Sequence, residues 1–127
     1  MTKILIVEDD FYIQDIYVKT FKGGGYAVDS ATDGEEALQK AKSARYDVIL
    51  LDIMLPKITG VDVLRALRQE GATTQETPIF MTTNLGQESI IKETFKIGAD
   101  GYFIKAQIQP KNLVAEINKF LETGQLK

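Results

Sequence analysis

The chain has no histidine and no cysteine among its 127 residues. Without histidine it lacks the commonest general base and the commonest zinc ligand, so its chemistry must use carboxylates, lysine, hydroxyls or a hard metal. No apolar run approaches membrane-spanning length, and the N-terminus enters a strand-like segment with no secretory h-region. The expectation is a cytoplasmic chain with no membrane contact, which the lack of cysteine also fits. Positive charge is in short supply: 15 Lys and Arg stand against 18 Asp and Glu. A net charge of −3 gives no electrostatic reason to bind nucleic acid or an anionic membrane directly. Internal repeats and low-complexity segments are absent as well. What remains, with 44% hydrophobic residues, suffices for one core and predicts one domain over residues 1–127.

The most informative stretch is Asp47-Val-Ile-Leu-Leu-Asp52-Ile-Met-Leu-Pro56. Four large apolar residues without helical spacing read as a strand buried on both faces, and they deliver the Asp52 carboxylate before Pro56 interrupts the chain. Three other runs behave alike. Lys3-Ile-Leu-Ile-Val7 ends in Glu8-Asp9-Asp10; Pro78-Ile-Phe-Met81 ends in Thr82 and Thr83; Tyr102-Phe-Ile104 ends in Lys105. Tyr26 to Ser30 alternates apolar and polar residues, as a half-exposed edge strand does.

Helical patterns separate these runs. Ile13, Ile16, Tyr17 and Phe21 predict a first helix, capped by Asp9 or Asp10 and stopped at Gly23-Gly24-Gly25. Thr32-Asp-Gly-Glu35 has the form of a capping box before Ala37, Leu38 and Ala41. Thr59 is the predicted cap of a third helix, with Val63, Leu64 and Leu67 on one face and its end at Gly71, followed by a surface loop over residues 72–77. Ile90, Ile91, Thr94 and Phe95 mark a fourth helix, and Leu113, Val114, Ile117, Phe120 and Leu121 a fifth that begins at Pro110. Five alternations with short connections predict a (βα)5 doubly wound, flavodoxin-like domain with a parallel sheet in the order 2-1-3-4-5. Its switch point falls between the first and third strands, with the acids of Glu8-Asp9-Asp10 on one side and Asp52 on the other.

Crowded carboxylates are costly unless a cation or a proton relieves them. An oxygen-only ligand set favours Mg2+, with Mn2+ as the alternative. Lys105 and Thr83 reach the same sheet edge and bring a positive charge and a hydroxyl. Cation, lysine and hydroxyl together can hold the oxygens of a phosphoryl group, and a carboxylate among them can accept it.

The segments Ile-Leu-Ile-Val-Glu8-Asp9-Asp10, Leu-Leu-Asp52-Ile-Met-Leu-Pro56 with Gly60, Pro-Ile-Phe-Met-Thr-Thr83 and Gly98-Ala-Asp-Gly-Tyr-Phe-Ile-Lys105 resemble the receiver domains of two-component response regulators, those of chemotaxis included. The resemblance covers the whole chain. It implies Asp52 as phosphoacceptor, and Glu8, Asp9, Asp52 and the backbone carbonyl of Met54 as the Mg2+ site. It also implies that Thr83 binds a phosphoryl oxygen and moves, that Tyr102 is the rotating aromatic, and that Lys105 pairs with the phosphoryl group. The implied partners are a histidine kinase or phosphotransfer protein as donor, and an output protein or domain at the face formed by the fourth helix, fifth strand and fifth helix. The chain would be a monomer or a phosphorylation-dependent dimer. Such a domain is a switch with self-phosphorylation and self-dephosphorylation chemistry rather than a metabolic enzyme.

The chain departs from the family pattern near Lys105 and Thr83. Ala106 stands where many receivers have a cis proline, which leaves a trans or a strained linkage open. Asn84 replaces a small residue. Met54 and Leu85 are apolar where polar side chains would position an attacking water, which predicts slow self-hydrolysis. Only Gly124-Gln-Leu-Lys follows the last helix, giving the expectation of a single-domain regulator, and the Lys105-Ala106 peptide with Pro110 resembles a variant found in stand-alone receivers. The alternatives are a degenerate receiver that binds partners without phosphorylation and an aspartyl-nucleophile phosphatase. Against the phosphatase stand Met54, where a second Asp is usual, and loops too short for a cap. Flavodoxin shares the fold, but Glu8-Asp9-Asp10 after the first strand of this chain would repel a flavin phosphate.

Overall fold

The computed structural model describes residues 1–84 and 88–124. Strand and helix alternate as β1 (Lys3–Val7), α1 (Phe11–Gly23), β2 (Ala27–Ala31), α2 (Gly34–Ser43), β3 (Val48–Asp52), α3 (Gly60–Leu67), β4 (Ile79–Thr83), α4 (Glu88–Ile97), β5 (Gly101–Ile104) and α5 (Pro110–Thr123), with one 3-10 turn at Lys105–Gln107. All pairings are parallel and the strands lie in the predicted order 2-1-3-4-5. Burial explains the order. Every residue of β3 and β4 is buried, whereas β2 buries only its last residue and so tolerates an edge.

Side chains alternate across the sheet, and each face has its own core. Leu5, Val7, Ile49, Leu51, Ile79 and Met81 pack against α2, α3 and α4. Ile4, Ile6, Val48, Leu50, Phe80 and Phe103 pack against α1 and α5. On the second face Phe80 meets Phe120 edge-on, with ring centroids 4.9 Å apart, fixing α5 against β4. Each fully buried Leu or Ile here contributes roughly 1.5–3 kcal/mol, so the sheet is a rigid base for whatever its edge carries.

Three local expectations shift. The cap of α2 is Asp33, which accepts from the Glu36 N–H at 2.8 Å, while the Glu36 carboxylate accepts from the Thr32 N–H at 2.8 Å. The box predicted at Thr32 and Glu35 is therefore displaced by one residue. Ile16 and Phe95 are 49% and 43% exposed instead of inward. On α1 the inward stripe is Ile13, Tyr17 and Phe21 at four-residue steps, and Ile16 falls outside it. The Phe95 ring instead packs edge-on against Tyr102, 6.0 Å between centroids.

Helix α3 stops at Leu67 rather than continuing to Gly71. Arg68 is the reason. Its side chain, 11% exposed, donates to the carbonyls of Gly98, Thr74 and Gln75 and to the carboxylate of Asp100, at 2.8–3.1 Å. The Thr74 hydroxyl caps the last turn by donating to the Leu67 carbonyl at 2.7 Å. The predicted surface loop over residues 72–77 is thus folded back, with Thr74 buried.

Candidate functional site

Strand register builds the site. Val7 lies beside Leu51, Asp52 beside Thr82, and Thr83 beside Ile104. Glu8 and Lys105, the next residues of β1 and β5, therefore emerge level with Asp52 and Thr83 at the carboxyl edge of the sheet. This is the switch point, where open α/β sheets hold ligands.

The side chains converge as the strand ends predict. The Lys105 Nζ donates to Asp52 Oδ2 at 2.8 Å and lies 2.5 Å from Glu8 Oε1. Glu8 and Asp52 are 1% and 3% exposed. The second oxygens are also engaged: Glu8 Oε2 accepts from the Asp10 N–H at 2.9 Å, and Asp52 Oδ1 from the Met54 N–H at 3.1 Å. Glu8 Oε1 has no well-directed hydrogen bond and is left with the charge of Lys105 alone. Asp9 is exposed, and among the described residues no group bonds its carboxylate. Asp10 caps α1 instead, accepting from the N–H groups of Tyr12 and Ile13 at 2.9 and 3.1 Å.

Burial pushes the Glu8 carboxyl up to about 7, against the contrary pull of the Lys105 ammonium and the Asp10 N–H; the neighbouring Asp52 adds to the rise. Burial pulls Lys105 down, but its contacts with Asp52 and Glu8 outweigh it, and the ammonium is held above its ordinary value. The pocket therefore contains one firmly protonated lysine and more acid than that lysine neutralises. Glu8, Asp9 and Asp52 each offer a carboxylate oxygen, all within 4.8 Å of one another. This oxygen-only set, with one buried oxygen short of a donor, fits a small hard cation.

The loop after β3 is held just as closely. The Gly60 N–H donates to the Ile53 carbonyl at 2.8 Å, and a Cβ on Gly60 would stand 2.0 Å from the Asp52 carbonyl oxygen. Only glycine lets α3 start this near the strand end that carries Asp52. Lys57 has a positive φ of 68° with the Ile58 N–H donating to the Pro56 carbonyl at 2.8 Å, a strained γ-turn. Its ammonium reaches Asp33 and Glu35 at the start of α2, at 3.5 and 3.7 Å.

A family model described as the response regulator receiver domain matches residues 4–118 of the chain. The chain is a response regulator receiver domain. This receiver is 37% identical over 120 residues to the transcriptional regulatory protein ResD of Bacillus subtilis, covering 94% of this chain and 48% of ResD. It spans about half the length of the curated relatives it matches. Among solved structures it superposes on the chemotaxis protein CheY4 of Vibrio cholerae with a TM-score of 0.86 at 34% identity, covering 94% of this chain and 98% of that one. The receiver domain of the sensor histidine kinase PA1611 of Pseudomonas aeruginosa superposes with a TM-score of 0.85 at 27% identity, covering 96% and 98% of the two chains; its structure has a magnesium ion coordinated in the active-site cleft.

In this receiver no described peptide bond is cis. The Lys105-Ala106 link is trans, and the 3-10 turn at Lys105–Gln107 still lets the lysine reach Asp52. Thr83 is buried, Asn84 beside it is exposed, and Leu85 lies outside the described residues. Met54, whose N–H donates to Asp52 Oδ1, has a 69% exposed side chain. Tyr102 is 38% exposed, turned outward against Phe95. No described helix is long and apolar enough to cross a membrane. Sequence reasoning gave no role to Gln14 or Arg68, whose contacts join segments far apart in the chain.

Proposed function

We propose that this receiver is the phosphoacceptor switch of a two-component relay, with Asp52 as acceptor. The observation that carries the proposal is the buried contact of Lys105 with both Asp52 and Glu8 at the sheet's switch point, with more carboxylate there than the lysine neutralises. An oxygen of Asp52 forms a bond to phosphorus while the phosphorus–nitrogen bond of a phosphohistidine donor breaks. The electron pair leaves with the imidazole, which takes a proton from solvent. Lys105 and the Thr83 hydroxyl hold the phosphoryl oxygens. Glu8, Asp9, Asp52 and the Met54 carbonyl would hold Mg2+, a reading that the magnesium in the PA1611 receiver supports, and the ion would supply positive charge against the phosphoryl oxygens.

Thr83 then moves toward the phosphoryl group, and Tyr102 leaves Phe95 for the space it vacates. The face formed by α4, β5 and α5 changes shape, and an output protein or domain reads it. With no histidine among these 127 residues, the phosphoryl group comes from a histidine outside them, on a histidine kinase or phosphotransfer protein, or from a small-molecule donor. We place this receiver, spanning residues 1–127, in the cytoplasm, as a monomer or phosphorylation-dependent dimer that does not itself bind nucleic acid.

Intact mass after incubation with a small phosphodonor tests the assignment, with Mg2+ or chelator, on the wild type and Asp52→Asn. The expected result is one phosphoryl adduct that needs both Mg2+ and Asp52. An unmodified wild type, with no Mg2+ binding, would leave a partner-binding module without phosphotransfer. Apolar Met54 at the mouth of the site gives water little guidance, so the adduct is expected to outlast seconds; a half-life of seconds would refute that expectation.

A further inference from the structure

From α1, Gln14 reaches back one turn toward the site, the direction in which helical side chains lean. Its Nε2 donates to two backbone carbonyls, those of Glu8 and Ala31, both at 3.0 Å. These are the first residue after β1 and the last of β2, and they are also joined by the Glu8 N–H donating to the Ala31 carbonyl at 3.0 Å. One amide thus ties together the two strand ends on the acid side of the switch point. Both partners are acceptors, so the nitrogen of the amide must face them. A carboxylate at residue 14 would repel both carbonyls, and an aliphatic side chain would take this donor from the Glu8 carbonyl and leave the Ala31 carbonyl with the Glu8 N–H alone.

The carbonyl of Glu8 belongs to the peptide that links Glu8 to Asp9. Glu8 has a second restraint, the Asp10 N–H on its carboxylate at 2.9 Å. Asp9 has none: its carboxylate is exposed and, among the described residues, unbonded, so only its backbone sets where it points. That backbone is the peptide plane that Gln14 holds. Asp52 and Lys105 are carried by β3 and β5 and do not depend on it.

We propose that Gln14 is a positioning residue for the cation: it orients the Glu8-Asp9 peptide and thereby presents the Asp9 carboxylate to Mg2+. The proposal rests on the assignment of the acid cluster as the Mg2+ site. Outer partners of metal ligands typically account for 10- to 100-fold in affinity, and an exposed carboxylate held through its backbone belongs at the lower end.

The test is Mg2+ binding to the full chain by titration calorimetry without phosphodonor, for wild type, Gln14→Leu and Gln14→Met; the Kd should rise about tenfold in the variants, and an unchanged Kd overturns the proposal. The rate of phosphorylation by a small phosphodonor is followed as Mg2+ is titrated for the same three proteins, with thermal melts alongside. The Mg2+ concentration giving half the maximal rate should rise about tenfold in both variants, while the rate at saturating Mg2+ stays within about twofold of wild type. General loosening of the fold would lower the maximal rate and leave the half-saturation point in place; that pattern, or an unchanged half-saturation point in either folded variant, overturns the proposal. Should the leucine variant not fold, the more pliant methionine variant decides by the same criterion. Wild type phosphorylated with no Mg2+ dependence would overturn the Mg2+ assignment and this proposal with it. A Mg2+-dependent wild type with unaffected variants overturns only the role of Gln14.

Discussion

Replacing Lys105 with methionine keeps most of the side-chain volume and removes the one cation that, among the described residues, pairs with Glu8 and Asp52. Both carboxylates are almost wholly buried, and removing one partner of a buried ion pair costs roughly 3–5 kcal/mol. The loss should depend on pH, because Glu8 can shed its charge. In the wild type its carboxyl is raised to about 7 from an ordinary 4.5, chiefly by burial. An acid raised in the folded state contributes stability that is fully present below its unfolded value and lost as pH rises through the folded one. Wild-type stability from Glu8 therefore falls between about pH 4.5 and 7 and is flat above. Lys105 is itself raised, so its own share is lost only above its ordinary 10.5, outside the working range.

In Lys105→Met the lysine no longer pulls Glu8 down, so its folded value climbs past 7. Stability then keeps falling where the wild type has levelled off, approaching a factor of about ten in the folding constant per pH unit. Urea unfolding in chelator, followed by circular dichroism, should show a deficit that grows by about 1–2 kcal/mol from pH 5.5 to pH 8. Saturating Mg2+ should restore much of it by binding only the folded state. A deficit equal at both pH values, or larger in acid, would refute the assignment of Glu8 as the group that responds to the lysine.

Gly60→Ala should lower stability by about 3 kcal/mol, since its Cβ would meet the Asp52 carbonyl at 2.0 Å and break the Gly60 N–H bond to Ile53. The same shift moves Asp52, so a thermal melt and a phosphorylation rate should fall together; a variant within about 1 kcal/mol of wild type in stability would contradict the close approach. Arg68→Met removes the donor that three carbonyls and Asp100 share, leaving Thr74 with the Thr77 N–H and Asp100 with the Ile79 N–H alone, and should cost about 3 kcal/mol in urea unfolding. Arg68→Lys should recover little of this, because an ammonium cannot span the four acceptors that the guanidinium fork does. Full recovery in the lysine variant would show that charge alone matters there.

Much of this receiver was legible because its candidate site sits at strand ends. In a parallel sheet the strands finish at one edge, so a polar residue after an apolar run has a known address before any loop is known. Glu8, Asp52, Thr83 and Lys105 were placed that way, and register brings them level. Helix bounds were less legible, because distant side chains decide them. Arg68 looked like one more helical residue, but its guanidinium binds the carbonyls of Thr74 and Gln75 and reaches Gly98 and Asp100, beyond β4. Nothing in the eight residues of α3 announces that. Gln14 is the same case within the site: its two acceptors stand just past the end of β1 and at the end of β2, and only the pairing of those strands brings them within reach of one amide. A strand end declares what is presented to a ligand, whereas the donors that hold it in place come from wherever the fold brings them. The groups that bear the chemistry can therefore be read from local sequence, and the groups that aim them cannot.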